Sequence, residues 1–290
     1  MADDRQKPRL DAADRKRWFG YVAIAYGWTW ALWIPALVYS ARTGFTLPTL
    51  EAGLDAWSGL SGAELAVAVT FQLAVYGPLV GALVVLATMD RQRIVAWRSA
   101  WAPSKSLRWW GFVFAWPLAL GAFVLAAGTL LGGSAPKWGA IPALPVLAGM
   151  VVVQLLTSGL EEPGWRGYAW PLLRPAHGFE NAGWLLGLVW AGWHLPFVLY
   201  LNRTAPVWSI PLTLAGFAMS IVAMGYVQAW VFERTGSLPL NISLHAWANV
   251  INTMVAAVQP NPIVPLATAG FAWLFAAWIL RREKNVAETA

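Results

Sequence analysis

Long stretches almost free of charge recur along this chain of 290 residues, and they decide what it can fold into. A run of about 18 or more apolar residues crosses a bilayer as a helix, and such runs take up most of the sequence. Hydrophobic residues make up 58% of the chain and charged residues 12%, where a soluble domain carries about 25% charged. Mean hydropathy is +0.53. In lipid, backbone polar groups must be satisfied internally, which leaves helices and closed barrels. Barrel strands alternate apolar and polar residues, whereas these runs are continuously apolar. The fold class expected is all-α: a polytopic integral membrane helix bundle of about eight transmembrane helices.

The spans expected are 18–39, 65–89, 110–131, 145–170, 183–201, 209–232, 240–257 and 262–280, the fourth interrupted by a charged cluster. No internal repeat or low-complexity linker divides them. The expected organisation is a cytoplasmic N-terminal tail (1–17), one transmembrane domain (18–280) and a cytoplasmic C-terminal tail (281–290). The N-terminal stretch is too long and too acidic for a signal-peptide leader, so the first span reads as a retained anchor. With both termini cytoplasmic, 17 of the 20 Lys and Arg fall on inner segments. Arg42, Lys137 and Arg203 fall outside. The positive-inside rule selects this orientation and expects a multi-pass protein of the cell membrane. It also accounts for the net charge of +6, so nucleic acid is not an expected partner. Residues 90–109 mix Trp97, Trp101 and Trp109 with Arg91, Arg93, Arg98, Lys105 and Arg108. They read as topology signal and interfacial anchors.

The absence of cysteine removes a thiol nucleophile, thiolate ligands and disulfides. The chemistry must come from ionisable residues within the spans, which are costly there and mark function. Glu161 and Glu162 lie in SGLEEPGWRGYAWPLL, with Arg166 behind them. His194 lies in GLVWAGWHLPFVLY, and His245 and Asn249 in NISLHAWANVINT. His177 reads as a solvated loop residue. Pro163 is expected to kink the fourth span. Glu162 and Arg166, four apart, can pair along one helical face. Glu161 points about 100° away and is left for chemistry. His245 and Asn249, again four apart, share a face. Helix directions place the glutamates and His245 in the cytoplasmic half, and the expected picture is a polar cavity opening toward the cytoplasm.

At these residues the chain resembles the CPBP family, the CAAX proteases and bacteriocin-processing enzymes. That family has three motifs: Glu-Glu-x-x-x-Arg, Phe-x-x-x-His and His-x-x-x-Asn. The first is present as Glu161, Glu162 and Arg166, the third as His245 and Asn249. The second runs from Trp190 to His194, with tryptophan in place of phenylalanine. The resemblance covers roughly 157–252. It implies an intramembrane endopeptidase in which Glu161, helped by His194, activates water. His245 and Asn249 would then stabilise the oxyanion, with Glu162 and Arg166 in support. The implied partner is a membrane-associated polypeptide, its lipidation left open. Members are often called metalloproteases, and Glu161, His194 and His245 would be the ligand set for a divalent metal such as zinc. There is no HExxH signature, and a metal-bound Glu161 could not be a free base. Metal-free activation is the preferred reading. Two other classes were weighed: a non-catalytic immunity or regulatory scaffold of the same fold, which has no chemical need for this set, and a proton-coupled transporter, for which repeat symmetry is expected.

Overall fold

The computed structural model describes residues 10–289 apart from 51, 53 and 61. Twelve α-helices and several tighter or wider turns make up the described chain, which contains no strand. In order they are α1 (Ala12–Thr43), α2 (Gly62–Leu73), α3 (Gly77–Leu86), α4 (Arg91–Ser99), α5 (Leu107–Gly132), α6 (Leu144–Leu156), α7 (Glu162–Gly164), α8 (Trp170–Trp193), α9 (Leu195–Leu201), α10 (Ile210–Thr235), α11 (Leu238–Val258) and α12 (Ile263–Thr289). The outward surface stays apolar, with Leu130, Leu212 and Leu266 all exposed. An apolar surface of that kind belongs against lipid rather than water.

Among the described residues, six segments are long and apolar enough to cross a membrane: Ala12–Thr43, Gly62–Leu86, Leu107–Gly132, Leu144–Trp193, Val207–Thr235 and Ile263–Asn285. The protein is therefore a multi-pass helical membrane bundle. The expectation of about eight spans differs in two places. It divides Leu144–Trp193 between two spans, and it adds α11. A fully helical segment of 50 residues would be roughly 75 Å long, far more than the ~30 Å hydrocarbon core. The chain turns back at Gly178, whose φ of 75° and ψ of 172° lie in a region open to glycine. α11 carries Asn241, His245, Asn249 and Asn252 along its length, and these polar residues dilute its hydropathy. His177, expected in a polar loop, is half-buried in the helical turn before Gly178.

The break that creates the candidate site lies in the expected fourth span. α6 stops at Thr157, where φ is −110° and ψ −95°. A 3-10 turn (Ser158–Glu161), the short α7 and a π-helical turn (Trp165–Ala169) then lead into α8. The chain bends at Thr157 rather than at Pro163. Proline occupies the first turn of α7, where a missing N–H has no intrahelical partner to lose. Gly164 lies so close to the Pro78 carbonyl that a Cβ would collide with that backbone. This pins the acid-bearing turn against the start of α3. α8 approaches α10 in the same manner, with Gly183 against the Tyr226 ring and Gly187 against Val222, the small-residue packing that lets membrane helices come close.

At the face where the chain termini lie, Asp14 joins α1 to α4 through Arg93 at 2.7 and 3.0 Å. α4 is not only a surface anchor. Trp97 donates its indole N–H to the Pro163 carbonyl at 3.0 Å, and Trp101 packs with Leu238 and Ile242.

Candidate active site

Glu161 and Glu162 enter the bundle together because the 3-10 turn hands directly into α7, and they face different partners. Both are buried, with exposures of 2% and 0%. Glu161 Oε2 accepts hydrogen bonds from Trp165 Nε1 at 3.2 Å and Trp190 Nε1 at 2.9 Å. The side chain expected to be left without a partner is thus held through one oxygen by two indoles. Each indole has one donor and no acceptor, so neither can take a proton from the carboxylate.

Glu162 sits at a junction of three helices. Arg166 NH1 lies 3.2 Å from Oε1 and 3.1 Å from Oε2, the pair that the four-residue spacing indicates. His245 Nδ1 on α11 lies 2.8 Å from Oε1. Gln228 on α10, with its amide nitrogen toward the carboxylate, donates to both oxygens at 2.6 and 2.8 Å. Burying a charge requires such pairing and hydrogen bonding. The sequence indicates Arg166 alone, so His245 and Gln228 are additions.

A carboxylate can only accept, so the Glu162 contact places a proton on His245 Nδ1 and leaves Nε2 unengaged. His194 is arranged alike: its Nδ1 lies 2.9 Å from the Trp190 carbonyl, which fixes the proton there. The His194 ring stands edge-on to Trp193 and Phe217. Asn249 donates to Gln154 Oε1 at 2.8 Å, with one amide hydrogen to spare. Gln154 is buried on α6 and is a further contact absent from the sequence reading.

Trp190 touches nearly every part of this constellation. Its indole donates to Glu161, the Arg166 guanidinium lies 4.5 Å from its ring centroid, and its ring meets His245 edge-on with centroids 5.3 Å apart. Phenylalanine at this position would keep the ring contacts and lose the donor.

Glu161, His194, His245 and Asn249 line a single cavity of about 510 Å³. Glu162 and Arg166 are packed behind it. Among the described residues no three of His, Cys, Asp or Glu converge to hold a metal ion. Glu161 faces two indoles through Oε2, and His245 is committed to Glu162 through Nδ1. The set Glu161, His194 and His245 therefore shares the cavity without forming a cage. The expected opening toward the face of the termini is not what the lining describes. Thr49 and Leu50, after the far end of α1, and Leu201 and Asn202, at the end of α9, belong to it. Counting residues from a helix end gives depth, but not which side is sealed.

Over residues 142–251 the chain matches the family model described as Rce1-like, type II CAAX prenyl endopeptidase Rce1-like. It is also similar to CAAX prenyl protease 2 of Methanococcus maripaludis, 29% identical over 139 residues, or 46% of this chain and 49% of that protein. The chain thus spans about half the length of the curated relative it matches.

Proposed function

We propose that the protein is an intramembrane endopeptidase that hydrolyses a peptide bond of a membrane-associated polypeptide in the cell membrane, with both termini cytoplasmic. The observation that carries this reading is the convergence of Glu161, His194, His245 and Asn249, from three separate elements, on one cavity.

Glu161 takes a proton from a water molecule through the oxygen that the indoles leave open, and His194 Nε2 helps to orient that water. The resulting hydroxide attacks the scissile carbonyl carbon. Asn249, through its spare amide hydrogen, donates to the oxyanion. His245 donates there through Nε2 when both ring nitrogens carry protons, with Glu162 as the counter-charge. On collapse the C–N bond breaks, and the leaving amine takes its proton from Glu161. Donors held in place before charge develops are worth far more than donors that must reorganise. Gln154 and Glu162 do that holding. The walls are largely apolar, as an uncharged membrane-associated chain requires, and a lipid on that chain is not needed by the chemistry.

The test is cleavage of an apolar peptide by the purified protein in detergent, read as new termini by mass spectrometry. Asn249→Ala is expected to lower kcat by about 10²–10³-fold, as for the loss of one oxyanion donor, with KM little changed. An unchanged kcat removes Asn249 from the mechanism. Trp190→Phe is expected to keep the fold and lower kcat by about 10-fold or more. It deletes one hydrogen bond to an ionised group, worth about 1.5–3 kcal/mol, while retaining the ring against Arg166 and His245. Wild-type kcat in that variant would show that Trp165 alone holds Glu161.

A further inference from the structure

We propose that the cavity admits its substrate from the extracytoplasmic side, opposite the chain termini, and that this substrate is an uncharged, extended polypeptide segment cut internally. The substrate part rests on the peptidase reading; the side of entry rests on geometry and charge.

α1 runs from the face of the termini at Ala12 to the opposite face at Thr43, which fixes the two sides of the bundle. Trp33, in the later half of that helix, lines the cavity, as do Thr49, Leu50 and Asn202 beyond the helix ends on the far face. Asn252 and Thr253 continue the lining along the later half of α11, and Glu161 and His245 form its deep end. No residue of α4 and none of the first two turns of α1 or α11 contributes.

Toward the face of the termini the site is bounded by hydrogen bonds instead, and the separate cavity on that face, beside Trp97, Ala100 and Tyr168, shares no lining residue with it. Trp97 caps the Pro163 carbonyl beneath the acid-bearing turn. The Leu238 N–H at the start of α11 donates to the Ala100 carbonyl at 2.7 Å. Ser237 Oγ donates to the Ala102 carbonyl at 3.0 Å. The segment after α4 is therefore fastened across the floor of the site.

Charge then assigns the sides. Among the described residues, every Lys and Arg except Arg42, Lys137 and Arg203 lies on a segment of the floor side, and that bias marks the cytoplasmic face. The mouth consequently opens on the other side of the membrane. Glu161 is the one Asp, Glu, Lys or Arg among the described lining residues. A free C-terminal carboxylate would find no Lys or Arg among the described lining residues and would meet the Glu161 carboxylate. Gln72, Asn202 and Asn252 offer amide groups along walls that are largely apolar and otherwise carry mainly hydroxyl groups such as those of Thr213, Ser220 and Thr268, which suits the backbone of an extended uncharged chain.

The natural chain has no cysteine, so Thr49→Cys, Asn202→Cys and Ser99→Cys each carry a single thiol. Ser99 is exposed on α4 and reports the floor side. With a membrane-impermeant maleimide, Thr49→Cys and Asn202→Cys are expected to react in intact cells, and Ser99→Cys only in inverted vesicles. Failure of the first two to react in intact cells, or reaction of Ser99→Cys there, overturns the side of entry. A polar-ended peptide with an apolar centre is then offered to both vesicle orientations and to detergent-solubilised protein. Cleavage is expected in right-side-out vesicles and in detergent. Cleavage by inverted vesicles alone overturns the side of entry and leaves the peptidase reading standing. No cleavage in detergent sinks the peptidase reading, while the labelling still decides the side. Glutamate placed at the centre of the peptide is expected to slow cleavage about tenfold or more, since like charges brought together in an interface are strongly disfavoured; equal rates overturn the substrate assignment.

Discussion

Glu161→Gln is expected to abolish peptide cleavage while leaving the protein folded. The replacement is nearly isosteric, and its amide oxygen can still accept from Trp165 and Trp190, so the two indoles keep their partner. What disappears is the ability to take a proton from water. A positioned general base contributes about 10²–10⁴-fold, and among the described lining residues no other carboxylate stands in for it: Glu162 is buried behind and saturated by Arg166, His245 and Gln228. The measurement is single-turnover cleavage in detergent beside thermal unfolding of the same preparation. A folded Glu161→Gln protein that cleaves at the wild-type rate ends the peptidase reading and returns the chain to a scaffold role.

Much of this arrangement was legible before any coordinates. The helices announce themselves because a bilayer demands long apolar runs, and a buried acid in such a run is conspicuous by its cost. Glu162 and Arg166 could be paired from spacing alone, because residues four apart on a helix are neighbours. The partners that sequence reading missed are of another kind. Gln154 and Gln228 are uncharged amides, and Trp165 and Trp190 are two among 21 tryptophans. Nothing local distinguishes the ones that meet the glutamates, because those meetings are made between helices far apart in sequence. The side on which we propose the cavity opens differs from the sequence expectation for a similar reason. Trp97 looked like an interfacial anchor, and only its contact with the Pro163 carbonyl reveals that it closes the floor.

The second large effect concerns stability. Glu162→Gln is expected to destabilise the protein by about 3–5 kcal/mol, the cost of leaving a buried charge without its partner. Arg166 is 1% exposed and has no other carboxylate within ion-pair distance. The same change weakens the bonds from α10 and α11, because Gln228 and His245 meet on the lost charge. Equilibrium unfolding in detergent measures it, with Glu161→Gln as the control expected to stay near wild type. Replacing both members, as Glu162→Gln with Arg166→Met, is expected to recover part of the loss, since removing a buried pair together is far less costly than breaking it. If Glu162→Gln unfolds like the wild type, Glu162 is not the junction that joins these helices.

The π-helical turn at Trp165–Ala169 has an arithmetic that bears on how such chains diverge. A wide turn of this kind carries one residue more than an α-helix would use, and one residue is about 100° of rotation. Deleting a single residue after Gly167 would spare the whole Glu-Glu-x-x-x-Arg motif and every letter of the other two. It would also let the helix close its register and swing the glutamates away from Trp190 and the histidines. Two sequences could then be identical at each named position, one of them with an acid in its cavity and the other with none. In this architecture, alignment gaps between Arg166 and Trp170 carry as much information about activity as the motif residues themselves.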